Sequence, residues 1–181
     1  MSAVAQYHGL PASVRLPDQT RIGAVHLQIA DLQRSLEYYQ GVLGLEVFDR
    51  STARVSFGVK GAAQPLVHVV EKHGVSPVPR RGRFGLYHFA VLLPDRGALG
   101  RFAAHVLGLG LAPGMADHAV SEALYLSDPD GLGIEVYADR PAESWSYQGK
   151  ELVMTTEPLD ITELIAAGKG EDWRGAPAGT T

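Results

Sequence analysis

Within eighteen residues the chain carries an imidazole, a phenol and a carboxylate, His118, Tyr125 and Glu135, around the turn sequence Asp128-Pro129-Asp130-Gly131. Imidazole gives or takes a proton near neutral pH, a phenol donates a hydrogen bond, and a carboxylate holds a cation. Three more histidines, His26, His68 and His88, lie upstream in segments of strand character. Two imidazoles and one carboxylate on a common face can hold a divalent ion such as Fe(II) and leave positions open for other ligands. The candidate metal set is therefore His26, His88 and Glu135, with Mn(II), Ni(II) and Zn(II) as alternative ions. His68 reads either as a fourth ligand or as an acid-base group. A lone strand histidine more often serves a backbone partner, His118 could simply be exposed, and Tyr125 could be an ordinary core aromatic. His8, His73 and His105 have no chemical partner in the sequence.

These residues need strands to face one another. Leu124 to Leu126 and Ile134 to Tyr137 flank the Asp-Pro-Asp-Gly turn, so they are expected to pair antiparallel. Side chains alternate along a strand, so Ile134 and Val136 share one face and Glu135 and Tyr137 the other. Asp128 and Gly131 are read as shaping the turn. Upstream, Val25, Leu27 and Ile29 alternate with Ala24, His26 and Gln28, and Asp31 can cap a helix carrying Leu32, Leu36, Tyr39 and Leu43, closed by Gly44. Strand candidates follow near Leu45 to Asp49, Ala53 to Gly58 and Pro65 to Glu71, the last with His68 opposite in face to Val67 and Val69.

The same grammar then repeats. Tyr87, Phe89 and Val91 alternate with His88 and Ala90, and Asp95 can cap a helix with Leu99, Phe102 and Val106. His26 and His88 are taken as equivalent places in two units, and His68 and Glu135 as equivalents on the closing strands. The expected fold is α+β: two tandem β-α-β-β-β units, about residues 22–72 and 86–138, forming a cup-shaped, mostly antiparallel sheet lined by the faces without helices. Residues 1–19 read as an irregular lead-in and 20–141 as the domain. Residues 142–181 read as an arm containing Trp145 and Tyr147, a short helix capped by Asp160, and a flexible tail from Gly168.

This arrangement resembles the vicinal-oxygen-chelate superfamily of glyoxalases, bleomycin-resistance proteins and extradiol dioxygenases over roughly residues 20 to 140. His118, five residues, Leu124-Tyr125, two residues, Asp128-Pro129, one residue, Gly131, three residues and Glu135 resembles the extradiol dioxygenase signature, departing from it at Ala116. Leu86 to Pro141, with Ala138-Asp139-Arg140-Pro141, is similar to the amino-terminal half of bacterial catechol 2,3-dioxygenases. The resemblance implies Fe(II), a catecholic aromatic substrate opened by O2, and catalytic roles for His68, His118 and Tyr125. Its alternatives are a glyoxalase-like metal-dependent lyase or isomerase, or a metal-free small-molecule binding protein.

The 181 residues carry a formal charge of −4 with no long basic run, which offers no footprint for nucleic acid or an anionic membrane. The short cluster Arg80, Arg81 and Arg83 reads as a solvated linker. Zero cysteines exclude disulfides and thiolate ligands and suit a reducing compartment. With no membrane-length apolar run and no signal-peptide pattern at the N-terminus, the expectation is a cytoplasmic protein acting on a small molecule. A homodimer is expected from the sheet edges such a cup leaves open.

Overall fold

The computed structural model describes residues 16–17, 19–76 and 85–181. His8, most of the lead-in and the Arg80, Arg81 and Arg83 cluster lie outside the described residues. The first unit runs β1 (Val25–Ile29), α1 (Leu32–Gly41), β2 (Glu46–Arg50), β3 (Arg54–Gly58) and β4 (Val67–Glu71). The second runs β5 (His88–Leu92), α2 (Arg96–Gly108), β6 (Gly114–Asp117), β7 (Ser121–Ser127) and β8 (Gly133–Asp139). A hairpin of β9 (Tyr147–Gln148) with β10 (Glu151–Leu152) and helix α3 (Ile161–Ala167) follow.

The helices begin where short polar side chains can satisfy their free N–H groups. Asp31, Asp95 and Asp160 accept from the backbone N–H of Arg34, Ala98 and Glu163 at 2.8, 2.7 and 2.9 Å. Each unit forms a four-stranded mixed sheet with equivalent topology, β1-β4-β3-β2 and β5-β8-β7-β6. The β1–β4 and β5–β8 pairs are parallel and the others antiparallel.

Alternation then sorts the side chains. Val55, Phe57, Val67 and Val69 of the first sheet and Phe89, Val91, Leu124, Ile134 and Val136 of the second are buried in one continuous core with Leu36, Tyr39, Leu99 and Phe102 from the helices. Tyr39 stacks on Phe57 with ring centroids 5.0 Å apart, and both are fully buried. Large side chains of this kind each contribute about 1.5–3 kcal/mol on burial. The opposite faces carry His26, His68, His88, Tyr125 and Glu135, none of them in the core.

The C-terminal segment corrects the flexible tail expected from its glycines. Trp173 packs edge-on against Phe102 at 5.2 Å, Ala176 is buried and donates its N–H to Gly44 O at 2.9 Å, and Thr181 exchanges two backbone hydrogen bonds with Leu92. One aromatic anchor and a strand-like terminus outweigh the backbone freedom of the intervening glycines. Helix α3 lies close on α2 because Gly100 has no Cβ: one built there would fall 2.2 Å from Leu164 O. Among the described residues no helix is long and apolar enough to cross a membrane.

Candidate metal and acid-base site

The β7–β8 pairing places Tyr125 directly opposite Glu135, on the face away from the core. Cross-strand partners sit within side-chain reach, and the phenol oxygen lies 2.9 Å from Glu135 Oε1. The other carboxylate oxygen, Oε2, is 3.1 Å from His88 Nε2. His88 comes this close because its register partner on β8 is Gly133. A Cβ at position 133 would stand 2.7 Å from Tyr87 O and 2.9 Å from His88 Cβ.

His118 completes the chain from the β6–β7 turn, with Nε2 2.8 Å from the Tyr125 hydroxyl. That turn contains a non-glycine residue with positive φ, Ala119 at 67°, a conformation with a steric cost. Asp117 supports it by accepting Ala119 N–H at 2.8 Å through Oδ1 and Arg140 at 2.6 Å through Oδ2. On β7, Glu122 is buried and accepts hydrogen bonds from Arg96 Nε and Nη2 at 2.6 and 3.0 Å.

The protonation pattern follows from the donors available. His118 Nδ1 faces Thr155 O at 2.7 Å, and a carbonyl only accepts, so Nδ1 carries a proton. With the imidazole neutral, His118 Nε2 and Glu135 Oε1 are two acceptors for the single Tyr125 proton. A proton added at Nε2 satisfies both contacts at once. Tyr125 itself holds its proton strongly: burial, then the hydrogen bond to Glu135 and that carboxylate's charge, push its pKa up to about 12.

The first sheet presents a different pair. His26 and His68 are register partners on parallel strands, and their rings stack at 4.5 Å. His68 Nδ1 lies 2.7 Å from Ser56 Oγ. The registers also revise the equivalence of His26 and His88. Residue 26 pairs with 68, whereas the residue opposite Glu135 is Ala90, with His88 one same-face position upstream. The strand-to-cap spacing explains the offset, five residues from His26 to Asp31 and seven from His88 to Asp95.

Of the proposed ligands, the structure brings His88 and Glu135 together and leaves His26 beside His68. Among the described residues no three His, Asp or Glu side chains gather tightly enough to enclose one ion. Only the His88–Glu135 pair has the spacing that two ligands of one ion would take. Two ligands about 2.1 Å from an ion and at right angles stand about 3 Å apart, the span of the His88–Glu135 pair. His88 Nδ1 is buried without a partner, so no other protein group holds this ring in a competing orientation. His26 is exposed, and no hydrogen bond among the described residues fixes its ring. His73 is exposed in a turn, and His105 contacts Gly41 O at 2.9 Å and stacks on Trp173. A cavity of about 820 Å³ elsewhere, between Gly44, Lys60, Arg101 and the tail, contains none of the candidate residues.

The Thr155 carbonyl and Gly133 left no signal in the sequence, and Asp130 reads there only as part of the turn. Asp128 does shape the turn, accepting Asp130 N–H and Leu132 N–H at 2.9 Å each, and it also accepts the Tyr39 hydroxyl at 3.2 Å. Burial raises the Asp128 pKa against the lowering effect of those hydrogen bonds. Asp130 instead points across to the first unit, accepting Ala30 N–H at 2.8 Å and meeting Arg34 at 2.5 Å. The available signal was a second aspartate that the turn itself does not require.

Residues 21–136 match the family model of the Glyoxalase/Bleomycin resistance protein/Dioxygenase superfamily. The chain is 44% identical to a catechol-2,3-dioxygenase of Bacillus subtilis (strain 168) over 149 residues, 82% of this chain and 52% of that protein. It thus spans about half the length of this curated relative. Its fold is similar to a glyoxalase/dioxygenase from Nostoc punctiforme, with a TM-score of 0.59, 18% identity, and coverage of 74% of this chain and 100% of the other. A lactoylglutathione lyase from Agrobacterium tumefaciens gives a TM-score of 0.52 at 20% identity, covering 72% and 100%. With the paired β-α-β-β-β units, these matches show that the chain belongs to the Glyoxalase/Bleomycin resistance protein/Dioxygenase superfamily.

Proposed function

We propose that the protein is an extradiol dioxygenase that opens a catecholic ring with O2, using Fe(II) held by His26, His88 and Glu135. The observation that carries this reading is the run His118–Tyr125–Glu135, joined by hydrogen bonds, with His88 Nε2 3.1 Å from the second Glu135 oxygen, which brings two proton-handling groups beside two of the proposed ligands. The 44% identity to a catechol-2,3-dioxygenase supports the same class. Bound Fe(II) would supply a centre at which both catechol oxygens and O2 can be activated.

The chain's own residues carry the remaining tasks. Tyr125 keeps its proton and can direct a hydrogen bond at a substrate oxygen beside Glu135. His118, with Nδ1–H fixed on Thr155 O, presents Nε2 as the site that accepts a proton and returns it. His68 can exchange a proton from the first sheet while Ser56 steadies its ring. Oxygen uptake by Fe(II)-loaded protein on adding a simple catechol, with a yellow ring-opened product, is the expected result. Catechol binding without oxygen uptake, under conditions where iron stays bound, would exclude this reading and favour a lyase or a binding protein.

A further inference from the structure

We infer that Arg140 is a positioning residue for His118: its guanidinium neutralises two carboxylates that face each other on the β6–β7 hairpin and so keeps the turn in the shape that aims the imidazole. The inference rests on the reading of His118 as a proton-handling group, and no metal enters it. Asp117, the last residue of β6, and Glu122, near the start of β7, are register partners. Like charges directly opposite on paired strands repel. Glu122 is 3% exposed, so water screens little of its charge. Arg140 Nη2 lies 2.6 Å from Asp117 Oδ2 and 3.4 Å from Glu122 Oε1, so one nitrogen serves both. Arg96 is engaged by Glu122 and, at 3.3 Å, by Glu163. Among the described residues Arg140 is the one cation within ion-pair distance of Asp117.

The placement of His118 depends on Asp117 in two ways. Through Oδ1 this residue accepts the N–H of Ala119, which follows His118 and whose φ of 67° is costly in a residue with a Cβ. Its main chain exchanges two hydrogen bonds of 2.9 Å with Glu157. That pairing carries Thr155, two residues upstream of Glu157, whose carbonyl meets His118 Nδ1 at 2.7 Å and sets the tautomer. When repulsion from Glu122 displaces Asp117, the turn and the Thr155 carbonyl lose their register, and Nδ1 loses its acceptor. Arg140 is itself held independently of its charge. Its N–H reaches Val120 O at 2.8 Å, and its carbonyl accepts Trp145 Nε1 at 3.0 Å. The main chain thus delivers the guanidinium to the hairpin, and a change of side chain removes the charge without cutting those ties.

The test uses the full chain with isotope-labelled histidine and no added metal, at about pH 8, where an ordinary imidazole is neutral. Nuclear magnetic resonance then reads which ring nitrogen carries the proton. Comparison with His118→Gln assigns the His118 signal among the seven histidines. The parent shows His118 as a single tautomer with the proton on Nδ1. Arg140→Gln, which removes the charge, loses that single form to a mixture of both tautomers. Arg140→Gln combined with Asp117→Asn recovers it, because one carboxylate then stands where two faced each other and the amide oxygen still accepts Ala119 N–H. Recovery by deleting a second charge is a result that a merely structural arginine does not give. A single Nδ1–H tautomer in Arg140→Gln overturns the inference, and so does a mixture that persists in the double variant. Should Arg140→Gln not fold, the double variant decides alone, by keeping or losing the Nδ1–H form. Oxygen uptake with catechol tests the dioxygenase reading separately, so its failure and a failure of the positioning role are distinguishable.

Discussion

The two units share a topology but handle their polar residues differently. In the second, four side chains are part-buried and linked through successive contacts of 2.8, 2.9 and 3.1 Å, and a backbone carbonyl sets the tautomer at one end. In the first, two imidazoles lie against each other, one exposed and the other touching a single hydroxyl. A sheet face acquires a defined chemistry when its groups satisfy one another, because each then fixes the orientation of the next. The second unit has a wired site. In the first, among the described residues, His26 is held only by stacking on His68.

The largest break in this comparison is expected from Glu135→Ala. Glu135 contacts both Tyr125 and His88, so its loss removes the charge of a proposed ligand and the middle of the chain together. Affinity for a divalent ion should fall by about a hundredfold or more, beyond the range typical of outer partners. Titration of metal-free protein with Mn(II) checks it. Equal affinity in Glu135→Ala and the parent would remove the metal site from the second unit.

His118→Ala and Tyr125→Phe should separate proton handling from metal holding. Both variants are expected to retain iron and to lose about a hundredfold or more in turnover, the usual scale of general acid-base help. Steady-state oxygen uptake set beside the iron content of the same preparations measures this. Iron loss in step with activity would instead make both residues supports for the ligands.

These residues were legible because their spacing implied their geometry. The Asp-Pro-Asp-Gly turn placed β7 and β8 antiparallel, and alternation then put Tyr125 and Glu135 on one face. The three helix starts were equally legible from Asp31, Asp95 and Asp160, since capping is a local interaction. What failed was long-range or carried by the backbone. Strand β6, Gly-Met-Ala-Asp, has no alternation of its own and exists by pairing with β7. The Thr155 carbonyl leaves no trace among side-chain types. Asp130 reaches a residue 100 positions away, and the register that moves His88 off the place of His26 goes with a spacing from histidine to helix cap that is two residues longer.

Gly133→Ala tests whether close approach of β5 creates the wired site. The added methyl meets Tyr87 O and His88 Cβ inside contact distance, so β5 must shift. Overpacking of this kind costs about 1–3 kcal/mol. A lowered Tm is expected together with weaker metal binding, since His88 would move from Glu135. Loss of stability with unchanged metal affinity would mean that the His88–Glu135 approach is incidental.

Ser56→Ala should have the smallest effect and bears most directly on the contrast between the units. Among the described residues Ser56 Oγ makes the one side-chain hydrogen bond to His68, at 2.7 Å, and both residues are only part-buried, so water can replace the hydroxyl. A hydrogen bond in that setting contributes about 0.5–1.5 kcal/mol, which corresponds to a change in turnover of about two- to thirteenfold. Metal affinity should be unchanged, because neither Glu135 nor His88 touches Ser56. Tyr125→Phe also removes a single hydroxyl, yet that hydroxyl bridges two other groups of the chain, so its loss should exceed that of Ser56→Ala by about tenfold or more in turnover. Parallel kinetics on the two variants measure the difference. Equal losses would show that the first unit takes as large a part in the chemistry as the second does, and that stacking against His26 orders His68 as firmly as a hydrogen-bonded chain would.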